Sequence, residues 1–425
     1  MMGQGRDFNA LLGAQFLGVF NDNLFKQLVL LLAVDTLFPG KDMQGIAFAV
    51  FALPFVLFSG MAGDLSERHS KRGIILKMKL AEIGIMVLGI GALMTVGLPD
   101  LESLAWPALL MVLFVMGTQS AFFGPAKYGV IPEIVPPEGL VPANGAIAMT
   151  TFLGALFGIA LAGPLLDWFG PATAAPKLWA PGVVSVGLAV VGTLIATRMG
   201  ALKALRPDLK VSLNPFGRLF GTIKMLSGHK GLLHLVMLNS FFWFNSGAIS
   251  QAINGMSRPE FLDMQHKTDV SYLTGTISVG IIVGSAIAPR LAKRFKLSTL
   301  VVLGAVMMVV AQMFMLAVGT LLTRQTGAYP YAMGLLAVCG IGGAIMIVPV
   351  QSYLQDAPPE GMRGQTFAVN NFMNFLFMVL SGAFYHVVVG GMGPVFAQAV
   401  GGGLLLAWLV FVRKSVAQIA IGVEA

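Results

Sequence analysis

Charge is scarce in this chain. Only 11% of its 425 residues are Asp, Glu, Lys or Arg, against roughly 25% in a soluble globular domain, while 56% are hydrophobic. With a mean hydropathy of +0.82, a soluble domain is excluded and lipid is the solvent for most of the chain. Cysteine is nearly absent. The single Cys339 lies in an apolar stretch, so neither a disulfide framework nor a cysteine-based metal site can be built, and redox chemistry is not expected. Signatures of catalysis are missing as well. None of His69, His229, His234, His266 or His386 has an aspartate five positions on, which removes the His-x-x-x-x-Asp pair used by many acyltransferases. No Gly-x-x-x-x-Gly-Lys-Ser/Thr loop is present to cradle a nucleotide. An enzyme and an ATP-driven pump are disfavoured, and no cofactor or metal is called for.

What the chain does have is apolar blocks of membrane-spanning size. A spanning helix needs about 20 mainly apolar residues and a barrel strand about 10 alternating ones, and the blocks here fit the helix. They predict an all-α integral membrane protein with spans at roughly 10–37, 43–63, 74–98, 105–125, 142–168, 177–199, 231–256, 271–289, 297–323, 331–352, 365–390 and 393–412. The first block runs on through Phe38 and reads as a retained span rather than a signal peptide. The long segment 200–230 gathers Lys203, Arg206, Lys210, Arg218, Lys224 and Lys230 and divides the chain into an N-terminal bundle, 1–199, and a C-terminal bundle, 231–425.

Loop charge tests the span count, because cytoplasmic loops are rich in Lys and Arg. Alternate loops put Arg6; Arg68, Lys71 and Arg72; Lys127; Arg198 and the central segment; Arg290, Lys293, Arg294 and Lys296; Arg363; and Arg413 with Lys414 on one side. The other side holds only Lys41, Lys177, Arg258, Lys267 and Arg324. This contrast supports twelve helices with both termini cytoplasmic, and it explains the formal charge of +8 without nucleic acid. A repeat at an offset of 222 to 224 residues matches Phe20-Asn21 to Phe244-Asn245, Gly60 to Gly284, and Pro136-Pro-Glu-Gly139 to Pro358-Pro-Glu-Gly361. Two six-helix pseudo-symmetric bundles facing a central cavity are the expected architecture.

Several motifs carry mechanism. Gly60-Met-Ala-Gly-Asp64, followed by Arg68 and Arg72, joins small residues that let a helix approach closely to a carboxylate that can pair or cap as bundles rock. An ordinary cytoplasmic loop accounts for the cations but not for the Gly-x-x-x-Asp spacing, so Gly60, Asp64, Arg68 and Arg72 are candidate gating residues. Phe20-Asn-Asp-Asn-Leu-Phe-Lys26 places charge deep in span one, where it is costly unless it faces a partner or a polar path. Asp22 and Lys26, four apart, either neutralise each other at a helix interface or line the pathway, and Asn21 and Asn23 favour the pathway. Phe123-Gly-Pro-Ala-Lys-Tyr-Gly129 is expected to break span four near the interface and to present Lys127 and Tyr128 to headgroups. In the second half, span seven carries Asn239, Asn245, Ser250 and Gln251, and span eleven carries Asn370, Asn371 and Asn374; such groups tie helices together or line a cavity. Lys77, Lys79 and Glu82 in span three receive no sharper role than snorkelling or internal pairing. His386 reads as packing more readily than as a proton carrier.

Gln15-Phe-Leu-Gly-Val-Phe-Asn-Asp-Asn23, Gly60 to Asp64, Pro125-Ala-Lys-Tyr-Gly129, Ala143-Asn-Gly145, Val348-Pro349, Leu354-Gln355 and Ala368-Val-Asn-Asn371 together resemble the bacterial lysophospholipid transporters of the major facilitator superfamily. The resemblance implies the major facilitator fold, the bacterial inner membrane, and movement of lysophospholipids to the inner leaflet, where a separate acyltransferase re-esterifies them. It places Asp22, Asn23 and Lys127 near the translocation route. Some members carry an arginine in span seven and a glutamate in span eleven, whereas the nearest positions here hold Ser250 or Gln251, and Asn374. The cation that a phosphate requires then comes from Lys26 or Lys127. The candidate substrate-binding set is therefore Asp22, Asn23, Lys26, Lys127, Tyr128, Asn245, Gln251, Asn371 and Asn374. The rival reading is an ion-coupled carrier of a small solute or drug, in which Asp22 titrates.

Overall fold

The computed structural model of the protein describes residues 2–34, 36–171, 177–204, 206–209, 211, 221, 223, 224, 226, 228, 230–356 and 363–421. Among the described residues twelve long helices follow one another: α1 (Met2–Leu32), α2 (Gln44–Arg68), α3 (Lys71–Met94), α4 (Glu102–Ile134), α5 (Leu140–Phe169), α6 (Trp179–Ala196), α7 (Lys230–Gly255), α8 (Lys267–Ala292), α9 (Leu297–Phe314), α10 (Ala328–Asp356), α11 (Arg363–Met392) and α12 (Pro394–Ile421). Ten of them are long and apolar enough to cross a membrane, and α1 and α3 are the two outside that set. Those two carry the mid-helix charge of the first half: Asp22 and Lys26 in α1, and Lys77, Lys79 and Glu82 in α3.

Two expectations are corrected. Helix α4 is not broken at Pro125; it continues through Pro125 and Pro132 and ends at Val135, which is extended. A helical proline forfeits one backbone bond and can be carried by tight neighbours, whereas Pro136-Pro137 forces the preceding residue out of the helical region. The predicted loop after span two is only His69 and Ser70, because α2 runs to Arg68 and α3 begins at Lys71, with the Ser70 hydroxyl accepting from the Gly73 N–H. Gly60, Asp64 and Arg68 are thus helical. Most of segment 200–230 and the second Pro-Pro-Glu-Gly lie outside the described residues.

Contacts divide the chain into two compact units, Met1–Leu37 with Val50–Phe216, and Phe38–Ala49 with Gly217–Ala425. Within the first, α1 packs on α4, α5 and α6, and α3 packs on α4 and α6. Within the second, α7 packs on α10, α11 and α12, and α9 packs on α10 and α12. Each pairing of the first unit recurs six helices later, so the repeat in the sequence is a repeat in packing. Glycine marks the equivalence. A Cβ on Gly117 of α4 would collide with the carbonyl of Phe51 in α2, and one on Gly340 of α10 with the carbonyl of Ile277 in α8. These two glycines lie within the repeat interval, and at both the backbones approach as closely as small residues allow.

Candidate functional site

The polar residues of the first unit converge on α1, which carries them on several faces. Successive residues of a helix are about 100° apart, so Asn21, Asp22 and Asn23 address different neighbours. The Asn21 amide donates to Glu82 Oε1 of α3 at 2.9 Å. The Ser120 hydroxyl of α4 donates a short hydrogen bond to Asp22 Oδ2, and also reaches Gln119 Oε1 at 3.1 Å. Asn23 donates to the Val19 carbonyl and accepts from Lys26 Nζ, each at 2.8 Å. Lys26 lies 5.1 Å from the Phe51 ring centroid, a distance for cation–π attraction.

Lys127 is only 8% exposed. Its ammonium donates to Gln15 Oε1 at 3.4 Å and sits 4.6 Å from the centroid of Tyr128. Gln15 is fixed by α5: its amide donates to the Ile147 carbonyl and to the Thr150 hydroxyl, and its oxygen accepts from Thr151. Tyr128 is 43% exposed. Lys26, Lys79, Lys127 and Glu82 all act electrostatically on the Asp22 carboxylate, so acid and base are interleaved across α1, α3 and α4. The arrangement can receive a group that bears both signs of charge.

The second unit holds its polar residues differently. Asn239 of α7 donates to Asn370 Oδ1 at 2.8 Å and to Asn374 Oδ1 at 3.0 Å in α11, and the Ser240 hydroxyl also donates to Asn374 at 3.1 Å. Asn371, one residue on from Asn370, is exposed. Asn245 is fully buried beside Gly401 of α12, and neither of its amide atoms has a hydrogen-bond partner among the described residues. Gln251 is twelve residues beyond Asn239, about 18 Å along the helix, and belongs to a separate network. Gln44 donates to its carbonyl at 3.0 Å and accepts from Asn254 at 2.8 Å. Asp42 takes bonds from Gln44 N, Gln44 Nε2 and Tyr385 Oη at 3.1, 2.8 and 2.9 Å. Burial raises the Asp42 carboxyl above its ordinary value, although these donors and Arg258 pull it the other way.

Of the gating candidates, Asp64 is 7% exposed, Arg68 is exposed, and Gly63 beside Asp64 has nothing within 4 Å of where a Cβ would sit. Gly60 is exposed. Arg72 donates to the carbonyls of Met199 at 2.7 Å and Thr197 at 3.5 Å, satisfying the C-terminal end of α6. Its neighbour Lys71 pairs with Glu133 of α4 at 2.7 Å, across a slot that Gly129 leaves open, since a Cβ there would meet the Lys71 side chain at 2.6 Å. Sequence reasoning missed Gln15, Gln119, Ser120, Glu133, Asp42, Gln44 and Tyr385 as participants. For Lys79 and Glu82 the expected alternative of internal pairing is the one found, since the two form an ion pair with each other. Mid-helix charge is a signal for such a role, but the partner must be known to read it.

The sequence model of the Major Facilitator Superfamily matches residues 11–382. A lysophospholipid transporter LplT of Salmonella arizonae is 26% identical over 401 residues, covering 93% of this chain and 91% of that protein. One of Enterobacter sp. strain 638 is 27% identical over 402 residues, covering 94% and 92%. Among solved structures, a POT family transporter in complex with 5-aminolevulinic acid aligns with a TM-score of 0.72 at 14% identity, over 97% of this chain and 96% of that one. A bacterial homologue of the iron transporter ferroportin aligns with a TM-score of 0.63 at 13% identity, over 97% and 98%. At such identities the likeness is one of fold.

Proposed function

The chain belongs to the Major Facilitator Superfamily, and from that premise we propose that it is a secondary transporter that moves lysophospholipids between the leaflets of a bacterial inner membrane by alternating access. The reading takes all twelve helices as spans, in two bundles of six with both termini cytoplasmic. A separate acyltransferase is the natural consumer of the delivered lipid.

The observation that carries the reading is Lys127. It is a buried ammonium with, among the described residues, one long hydrogen bond, to a neutral amide, and no carboxylate at ion-pair distance. Burying a cation without a counter-charge is costly, and a phosphate would supply the counter-charge through a charge-assisted bond. Asp22 complements it. Ser120 occupies one of its oxygens, and the other, Oδ1, is buried without a hydrogen-bond partner, which suits the amine of a zwitterionic headgroup. Lys26, Asn23 and Tyr128 flank these two, and the curated relatives named for lysophospholipids cover nearly the whole chain. In the second unit Asn374, which accepts from Asn239 and Ser240, and the fully buried Asn245 and Gln251 are left to packing, and the exposed Asn371 is the remaining candidate of that unit. Gly60, Asp64, Arg68 and Arg72 form the gate.

Purified protein in liposomes tests the proposal. Inward movement of fluorescent lysophosphatidylethanolamine well above that of empty vesicles is expected, and folded protein with only the empty-vesicle rate overturns the lipid reading. Asp22→Asn separates the ion-coupled carrier: a proton-coupled protein loses its response to a pH gradient, whereas a facilitative one has none to lose.

A further inference from the structure

The first unit contains an ion pair that the proposed headgroup site does not use. Lys79 Nζ and Glu82 Oε2 of α3 are 2.5 Å apart, with side chains 1% and 2% exposed. Such a pair is a weak stabiliser, because removing two charges from water offsets most of their attraction, and apolar replacements of similar volume are often neutral or better. Its presence calls for another reason, and three observations supply one. Glu82 uses its second oxygen, Oε1, to accept from the Asn21 amide of α1. The Lys79 ammonium lies in a slot walled by glycines of two other helices, since a Cβ would meet it at 3.1 Å from Gly18 of α1 and at 2.9 Å from Gly192 of α6. The Lys79 carbonyl accepts from the Thr193 hydroxyl of α6 at 2.9 Å, beside that slot. The pair therefore sits where α1, α3 and α6 meet, and among the described residues its only link to α1 by hydrogen bond is Asn21, the residue before Asp22.

We propose that Glu82, held by Lys79, is a positioning residue: through its bond to Asn21 it sets the rotation of α1 about its own axis and so aims Asp22 at Ser120 and the headgroup path. Lys79 holds Glu82 in place, and the two glycines give Lys79 its room. Because consecutive helix positions differ by about 100°, the residue three positions on lies only about 60° away, and a rotation of α1 of that order would carry Asp22 away from Ser120 and bring apolar Phe25 round in its place. The consequence for transport rests on the lysophospholipid reading, whereas the rotation itself does not.

Two double variants differ by one acceptor. Lys79→Met with Glu82→Gln removes both charges but leaves an oxygen for Asn21; Lys79→Met with Glu82→Met removes that oxygen too. Each is placed in a Cys339→Ser background bearing a single cysteine at position 23 or 25 and labelled with a water-soluble maleimide. Position 25 is fully buried in the native structure and position 23 is not. The Gln variant is expected to label as the parent does. The Met variant is expected to fold, to label faster at position 25, and, without the cysteines, to show an apparent KM for lysophospholipid raised by about 10-fold to 100-fold, the scale on which loss of a hydrogen-bonded supporting partner weakens binding at metal sites, with a smaller change in maximal rate. Identical labelling in the two variants overturns the proposal. A Met variant that does not fold overturns it as well, since the pair is then a stabiliser. If the labelling differs as expected while the native protein moves no lysophospholipid, the positioning role stands and the proposed passenger falls.

Discussion

The two units pair their helices alike and fill those pairings with different chemistry. Advancing 224 residues along α1 takes Asn21 to Asn245, Asp22 to Ser246 and Lys26 to Ser250, and advancing 223 along α4, the interval between Gly117 and Gly340, takes Ser120 to Gly343 and Lys127 to Val350. A step of 224 takes the buried Lys79 and Glu82 to Leu303 and Val306, both exposed on α9. Asn21 is bonded to a carboxylate, while Asn245 at the equivalent place has no partner among the described residues for either amide atom. The scaffold was kept and the charge was confined to one half. Charge inside a membrane is retained where it acts, so on the proposed reading the first unit is the half that meets an ionic headgroup, and the second holds itself with neutral amides such as Asn239, Asn370 and Asn374.

The shared scaffold can be broken symmetrically. Gly117→Val and Gly340→Val each drive a side chain into a neighbouring backbone carbonyl, which cannot give way as a flexible side chain can. Each is expected to cost about 1–3 kcal/mol or more and to remove most folded protein, read as monodisperse yield in detergent. Equal losses sharpen the equivalence of the units, and a tolerated substitution in one of them breaks it. The chemical difference comes next in size. Lys127→Met is expected to lower lysophospholipid movement roughly 100-fold at unchanged thermal stability, the scale for losing a charge-assisted contact of 1.5–3 kcal/mol. Gln351→Met, at the polar residue next to the corresponding place in α10, is expected to stay close to the native rate. Similar rates for the two variants end the claim that recognition is one-sided.

How far the sequence carried this picture follows from the same contrast. Apolar length and repeat spacing are local properties, so the helices and their duplication could be read directly. The charges of α1 could be read too, because Asp22 and Lys26 in an apolar run are conspicuous. Their partners could not. Asn21 meets Glu82 across 61 residues, Asp22 meets Ser120 across 98, and Lys127 meets Gln15 across 112, and such meetings depend on which helix faces pack. In the second half the type of residue was legible but its direction was not. Asn370 faces Asn239 while Asn371 is exposed, a difference of one position on the helix. Gln251 and Asn374 looked alike as amides within spans, yet they belong to networks at different levels of α7.

The smallest expected effect lies at an exception to the division by sequence halves. Segment Phe38–Ala49, though early in the chain, belongs to the second unit, where Asp42 is bound by Gln44 and Tyr385. Burial is the largest influence on Asp42 and raises its pKa above 3.8, against the pull of its donors and of Arg258. The docked segment therefore holds a proton more tightly than the same segment would in water. For a carboxyl raised in this way, docking strengthens as pH falls through the raised value towards 3.8, and above both values the penalty is constant. Hydrogen exchange of residues 38–49, corrected for the intrinsic rate, should slow on acidification over that window in the native protein. In Asp42→Asn the pH dependence should vanish. Faster exchange in acid would mean that the three hydrogen bonds accepted by the carboxylate outweigh its burial, and the segment would then be held by charge, as the polar strip of the first unit is.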